Sequence, residues 1–205
     1  MSNREPLVDE LNSVKQDTIQ WDAKAHRVTI LDSNGNELGV DGSTNSLQTI
    51  SYAHHEIHLG NHYYIEGCAT LGNGSELRLK LIAPNTSKRI HILWEINSSG
   101  ILTTELYENS SGGMTGGVNV NAINNNRNSD NSSEMILTSG VSEATDDGDL
   151  ISQACWGSRQ LGGGNKREDE IILKQDTIYL RKFISGTNGN LLYFKAIWYE
   201  HTNEN

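Results

Sequence analysis

Hydrophobic residues in this chain alternate with polar ones in short runs, and the runs end in glycine, asparagine and serine. "SELRLKLIAP", residues 75–84, sets Leu77, Leu79 and Leu81 on one side and Glu76, Arg78 and Lys80 on the other. A period of two puts one face on a core and the other in water, which is the mark of a half-buried strand. "NHYYIEGCATL" ends at "GNG", "RIHILWEI" at "NSSG" and "ILTTELYE" at "NSSGG". "GVNVNAI", "SEMILTSGV", "DLISQACW", "DEIILKQDTIYLRKF" and "NLLYFKAIWYEH" complete a set of about eight strands, spaced as in a sandwich or barrel. The expectation is an all-β fold, an antiparallel β-sandwich of jelly-roll-like form over residues 47–205.

Residues 1–46 read differently, as an N-terminal arm. "REPLVDELNSV" spaces Leu7, Val8, Leu11 and Val14 at helical intervals, and residues 18–40 suggest two strands around a tight Asn34-Gly35 turn. Two further stretches interrupt the alternation. Residues 119–133 are dominated by asparagine, and residues 157–169, "GSRQLGGGNKRED", form a glycine-rich segment with basic residues. Both are too polar for a core and are expected as long loops, where partner contacts concentrate.

Composition sharpens this picture. The 205 residues include 20 glycines and only 2 prolines, and the formal charge is -10. An acidic surface is unsuited to neutralising phosphates, so nucleic acid is not an expected partner. No stretch approaches the roughly 18 apolar residues of a membrane span, and the start carries no apolar signal core, so synthesis in the cytoplasm without export or membrane insertion is expected. Cys68 and Cys155 form no metal or redox motif and are expected as reduced thiols in or near the core. Asn73, Asn85, Asn97, Asn109 and Asn131 match the glycosylation triplet, a by-product of turns rich in asparagine and serine.

The densest candidate chemistry is "SYAHHEIHLGNHYYIEG", residues 51–67, which holds His54, His55, His58 and His62 beside Glu56. A zincin helix needs two histidines four apart with a glutamate after the first, and His55-Glu56 followed by His58 is one residue short. Gly60-Asn61 would also break a helix before His62. As a strand, Gly-Asn turn and second strand, the segment places His54, Glu56 and His58 on one side. Packing or interface histidines are the simpler reading, with a cupin-like metal enzyme as the rival. "ATDDGD", residues 144–149, lacks the ligand spacing and closing glutamate of a calcium loop and reads as a solvated turn. "GGGNKR" lacks the Gly-Lys-Ser/Thr of a phosphate loop, and no nucleophile elbow appears. No catalytic residue, metal or cofactor is assigned. Trp94 and Trp198 lie in apolar runs and are expected in the core, while Trp156 beside the glycine-rich segment allows a carbohydrate-stacking role.

Taken together, "TISYAHHEIHLGNHYYIEG", "RLKLIAPNTSKRIHILWEI", "NNNRNS", "DEIILKQDTIYLRKF" and "FKAIWYEHTNEN" resemble a family of small virion structural proteins of tailed bacteriophages. The resemblance runs from about residue 47 onward, and its capsid decoration or cement members are often β-sandwich or jelly-roll oligomers. It implies a non-enzymatic virion protein on the outer capsid surface that bridges major capsid protein subunits as a homo-oligomer, a dimer or trimer. Leu7, Leu11 and Trp21 of the arm, with Asn125, Arg127, Arg159, Lys166 and Arg167 of the two polar stretches, are the expected partner contacts. The alternative is a receptor- or carbohydrate-binding module of a tail or head fibre.

Overall fold

Alternation of apolar and polar residues governs almost every element of the computed structural model, which describes residues 20–22, 27–29, 51–157, 164–167 and 170–202. The chain divides into two units, residues 1–50 and 51–205. In the first, β1 (Gln20–Asp22) pairs antiparallel with β2 (Arg27–Thr29), and Trp21 lies opposite Val28. This hairpin falls within the segment expected to form two strands, but it brackets residues 23–26 and not Asn34-Gly35. Asn34-Gly35 and the helical stretch with Leu7 and Leu11 lie outside the described residues.

The second unit opens with a helix, α1 (Tyr52–Leu59), and continues with β3 (His62–Leu71), β4 (Glu76–Ala83), β5 (Lys88–Ser98) and β6 (Leu102–Glu108). Short pairings follow: β7 (Ser111–Gly113), β8 (Val118–Asn119), β9 (Ile123–Asn124), β10 (Ile136–Ser139) and β11 (Ala144–Asp146). The chain then forms β12 (Asp149–Trp156), β13 (Gly164–Arg167), β14 (Ile171–Ile172), β15 (Thr177–Ser185) and β16 (Asn190–Thr202). One sheet runs β12-β6-β15-β4-β10-β8 and the other β13-β5-β16-β3-β9, with β14 also paired to β5. Neighbouring strands are antiparallel throughout.

Set aside the short pairings between β6 and β12 and count β13 with β14 as one strand. The sheets then read first-eighth-third-sixth and second-seventh-fourth-fifth in chain order. That is the double Greek key of a jelly roll. The segment between β6 and β12 widens both sheets on the same side, through β10 beside β4 and β9 beside β3. It also lays Met114 and Val141 over Leu180 on the outside of the first sheet. This is why β15 is buried on both faces in its middle.

The core between the sheets is built from inward alternating positions: Tyr63 and Ile65 on β3, Leu79 and Leu81 on β4, Ile92, Trp94 and Ile96 on β5, and Phe194, Ala196 and Trp198 on β16. Trp94 and Trp198 are core residues, as their apolar runs suggest. Arg181 is also fully buried, its guanidinium 5.2 Å from the Trp94 ring and 5.4 Å from Phe183, a stacking geometry that suits a planar cation in an apolar interior.

Three expectations need correction. Cys68 and Cys155 are free and exposed, because alternation along β3 and β12 turns them outward. Residues 169–183 do not form one strand: β14 and β15 belong to opposite sheets. The chain crosses at Asp176, whose φ is +53°, and Gln175 ties the crossing down by donating to the carbonyls of Thr86 and Lys88. The glycine-rich stretch is not loop throughout, since residues 164–167 pair with β5, Lys166 opposite Ile96 and Arg167 opposite Glu95. An edge strand is not required to be apolar, so its composition conceals it.

Candidate functional site

The segment 51–67 is a helix followed by a strand. Ser51 adopts an extended conformation and its hydroxyl accepts from the His54 amide at 3.3 Å, the usual helix N-cap arrangement. At the other end Gly60 is left-handed, φ +75°; its amide bonds Ile57 O, and the Asn61 amide bonds Glu56 O. That pair of bonds is a Schellman motif. The strand reading of His54–His58 is therefore overturned. Gly60 does end the element before His62, as the Gly-Asn pair suggests. The helix buries Glu56 alone on its packed side, so it has no apolar stripe for periodicity to detect. Caps define it.

The asparagine-rich stretch completes the cap. Asn126 Nδ2 donates to His58 O at 3.1 Å, Asn131 Nδ2 to Leu59 O at 3.3 Å and Asn124 Nδ2 to Gly60 O at 2.8 Å. Three successive carbonyls that the helix leaves without partners are thus met by three side-chain amides. The stretch holds its own shape by local turns, with the Asn126 amide on Asn124 Oδ1 at 2.9 Å and the Asn128 amide on Asn126 Oδ1 at 3.1 Å. Its asparagines serve an internal strap.

Histidines gather around this helix and on the outer face of the second sheet. Positions 62 on β3, 91 on β5 and 199 and 201 on β16 all point outward, opposite to the core positions between them. The register sets Tyr199 against His62 on one side and His91 on the other. Tyr199 stacks on His91 with centroids 4.6 Å apart, and Tyr52 of α1 meets His201 edge-on at 5.2 Å. His201 Nε2 lies 2.8 Å from His91 Nε2, and His54 Nε2 lies 3.0 Å from His58 Nε2, one helical turn away. Glu170 accepts from Tyr199 Oη at 2.6 Å and from His91 Nδ1 at 2.8 Å.

Electrostatics differ across the face. His62 accepts from Asn125 Nδ2 at 2.6 Å on Nδ1, which leaves its proton on Nε2. Burial lowers its pKa from the ordinary histidine value, against the opposing pull of Glu56. Burial raises the Tyr199 hydroxyl, and its bond to Glu170 raises it further, so it is a proton donor and not a phenolate. Inside the sandwich, Tyr63 is pushed up to about 12 by burial, then by Glu200 and Glu134.

Of the expected partner contacts, Asn125 is partly buried and spent on His62, which it also meets through its amide at 2.9 Å. Arg127 is exposed, with one weak bond to Asn124 O at 3.5 Å. Trp21, Lys166 and Arg167 are placed as backbone strand positions, while Leu7, Leu11 and Arg159 lie outside the described residues. The structure thus does not bring this set into one described site. Sequence reasoning missed His91, His201, Tyr199, Tyr52 and Glu170. The available signal was the outward placement of histidine in "RIHILWEI" and "WYEH".

At the far end of the same face an open groove of about 460 Å³ is lined by residues including Cys68, Thr70, Asn97, Leu191 and Tyr193. Among the described residues no group of three or more histidine, cysteine, aspartate or glutamate side chains is arranged to hold a metal. No helix among them is long and apolar enough to cross a membrane. No protein-family model, curated protein or solved structure matches this chain.

Proposed function

We propose that this is a non-enzymatic virion structural protein of a tailed bacteriophage, which binds the outer surface of the capsid and cements or decorates it by bridging major capsid protein subunits. The supporting observation is the edge strand β12. Among the described residues β12 pairs only with β6, leaving its other side open. From Leu150 to Trp156 it carries no charge, and Leu150 and Ile151 are exposed. Free edges of soluble proteins are ordinarily blunted with charge or proline, because a row of unpaired backbone groups recruits another strand. An uncharged edge suits strand addition, the assembly mode expected of a sandwich that joins neighbours in a shell.

The resemblance of residues 47–205 to phage virion proteins and the -10 charge fit the same reading. An acidic protein faces away from the packaged genome and gains solubility at high local density. The working unit is a homo-oligomer of two or three copies, with neither nucleic acid nor membrane as partner. Cryo-EM of intact particles tests this. Density for the jelly roll across capsid subunits is the expected result, and finding the chain only in the tail, or not in the particle, would overturn it.

A further inference from the structure

The two close histidine pairs differ in the protons available to them. His91 Nδ1 lies 2.8 Å from Glu170 Oε1 and 3.0 Å from Tyr199 Oη, while Tyr199 gives its own proton to the same carboxylate oxygen. A carboxylate only accepts, so His91 Nδ1 is protonated and donates. His201 Nδ1 lies 3.1 Å from Thr202 O, a carbonyl that likewise only accepts, so this nitrogen is protonated too. A neutral imidazole carries one N–H. With both rings neutral, both Nε2 atoms therefore present lone pairs to one another across 2.8 Å. Lone pairs that close repel unless a cation lies between them. At His54 and His58 only the Nε2 atoms meet, and among the described residues no hydrogen bond fixes either Nδ1, so one ring can donate to the other.

We propose that His91 and His201 form a binding site for a divalent d-block metal ion of the class imidazole prefers, Zn²⁺ in the first instance, through their two Nε2 atoms. Glu170 stands to His91 as the carboxylate that orients metal-binding histidines: it fixes the tautomer, holds the ring and makes the outer nitrogen a better donor. The rings are preorganised, His91 by its stack on Tyr199 and His201 by the edge of Tyr52. With zinc–nitrogen bonds of about 2.0–2.1 Å and tetrahedral angles, the two nitrogens would stand roughly 3.3 Å apart, so the rings need part by only about half an ångström. Two protein ligands leave the other positions of the tetrahedron to water or an anionic ligand. Such a site is open and exchangeable, unlike a closed structural one.

The test is calorimetric titration of Zn²⁺ into the full chain, purified without a polyhistidine tag and stripped of metal. Saturable uptake at one site per chain is expected, abolished in His91→Ala and in His201→Ala and retained in a His54→Ala/His58→Ala double variant. Glu170→Gln should weaken uptake by about 10- to 100-fold. Circular dichroism identifies any variant that fails to fold, and long-range ¹H–¹⁵N spectra of the metal-free wild type give a second reading, with both Nδ1 atoms protonated and both Nε2 signals shifting as zinc is added. Absence of saturable uptake, survival of uptake in folded His201→Ala, or Nε2 signals indifferent to zinc would each overturn the site.

Discussion

Replacing Glu200 by alanine should destabilise the sandwich markedly. Its fully buried carboxylate accepts from Ser133 Oγ at 2.5 Å, from the Glu134 amide at 3.0 and 3.1 Å, from the Met135 amide at 3.4 Å and from the Trp198 indole at 3.1 Å. Alanine would leave the Glu134 amide without its acceptor, while the Met135 amide and the Trp198 indole would keep only their bonds to Ser133 Oγ at 3.1 and 3.2 Å. Each orphaned buried donor costs about 1–3 kcal/mol, reduced by whatever relaxation the loop permits. With one donor orphaned and two others left with a single acceptor, a net loss of about 2–4 kcal/mol follows, a large share of the roughly 5–15 kcal/mol that holds a domain together. At about 2–4 °C per kcal/mol for a chain of this size, Tm should fall by roughly 4–16 °C. Glu200→Gln keeps one acceptor oxygen but loses the charge, and should lose about half as much. Urea unfolding followed by tryptophan fluorescence measures the total, and amide hydrogen exchange locates it. The Glu134 and Met135 amides should exchange faster in the glutamine variant, with those shared by β6 and β15 little changed. A loss under about 1 kcal/mol for alanine, or unchanged exchange at Glu134 and Met135, would refute the claim that this carboxylate pins the inserted segment to the sheet.

Three further outcomes are expected. Gly60→Ala should destabilise by at least about 1–2 kcal/mol from its left-handed backbone alone, and by more because the added carbon would lie 2.1 Å from Ser129 Oγ; a thermal melt matching wild type would count against the cap. Because the folded His62 pKa lies below 6.5, the unfolded chain binds the extra proton first, so its contribution is present above pH 6.5 and lost as pH falls through 6.5 toward the folded value; Tm against pH should show this slope flattened in His62→Gln. Ile151→Lys, placing a charge on the β12 edge, should lower the oligomer order seen by light scattering while leaving Tm within about 0.5 kcal/mol equivalent of wild type, and an unaltered assembly would remove β12 from the interface.

Much of the sandwich was legible because its strands bury one face only. β4 and β5 declare themselves through Leu79, Leu81, Ile92 and Trp94 at every second position. The failures have physical causes. Helix α1 buries Glu56 in place of an apolar stripe, so only Ser51 and Gly60 announced it, through capping. The role of the asparagine run belongs to carbonyls of His58, Leu59 and Gly60, about seventy positions earlier and adjacent only in the folded state. The meeting of His91 with His201 requires that β5 and β16 be neighbours, which no local pattern encodes.

The central place of β16 bears on how the protein is made. Residues 190–202 lie between β5 and β3 in the second sheet, and among the described strands they leave the ribosome last. Until they emerge, β3 and β5 have no shared neighbour, and the carboxylate that anchors the inserted segment does not exist. Closure must therefore follow synthesis of nearly the whole unit, and long-range pairings of this kind form slowly. A message interrupted before codon 190 would release a product with most of one sheet assembled and the other open at its middle. Exposed strands of that sort favour aggregation over function.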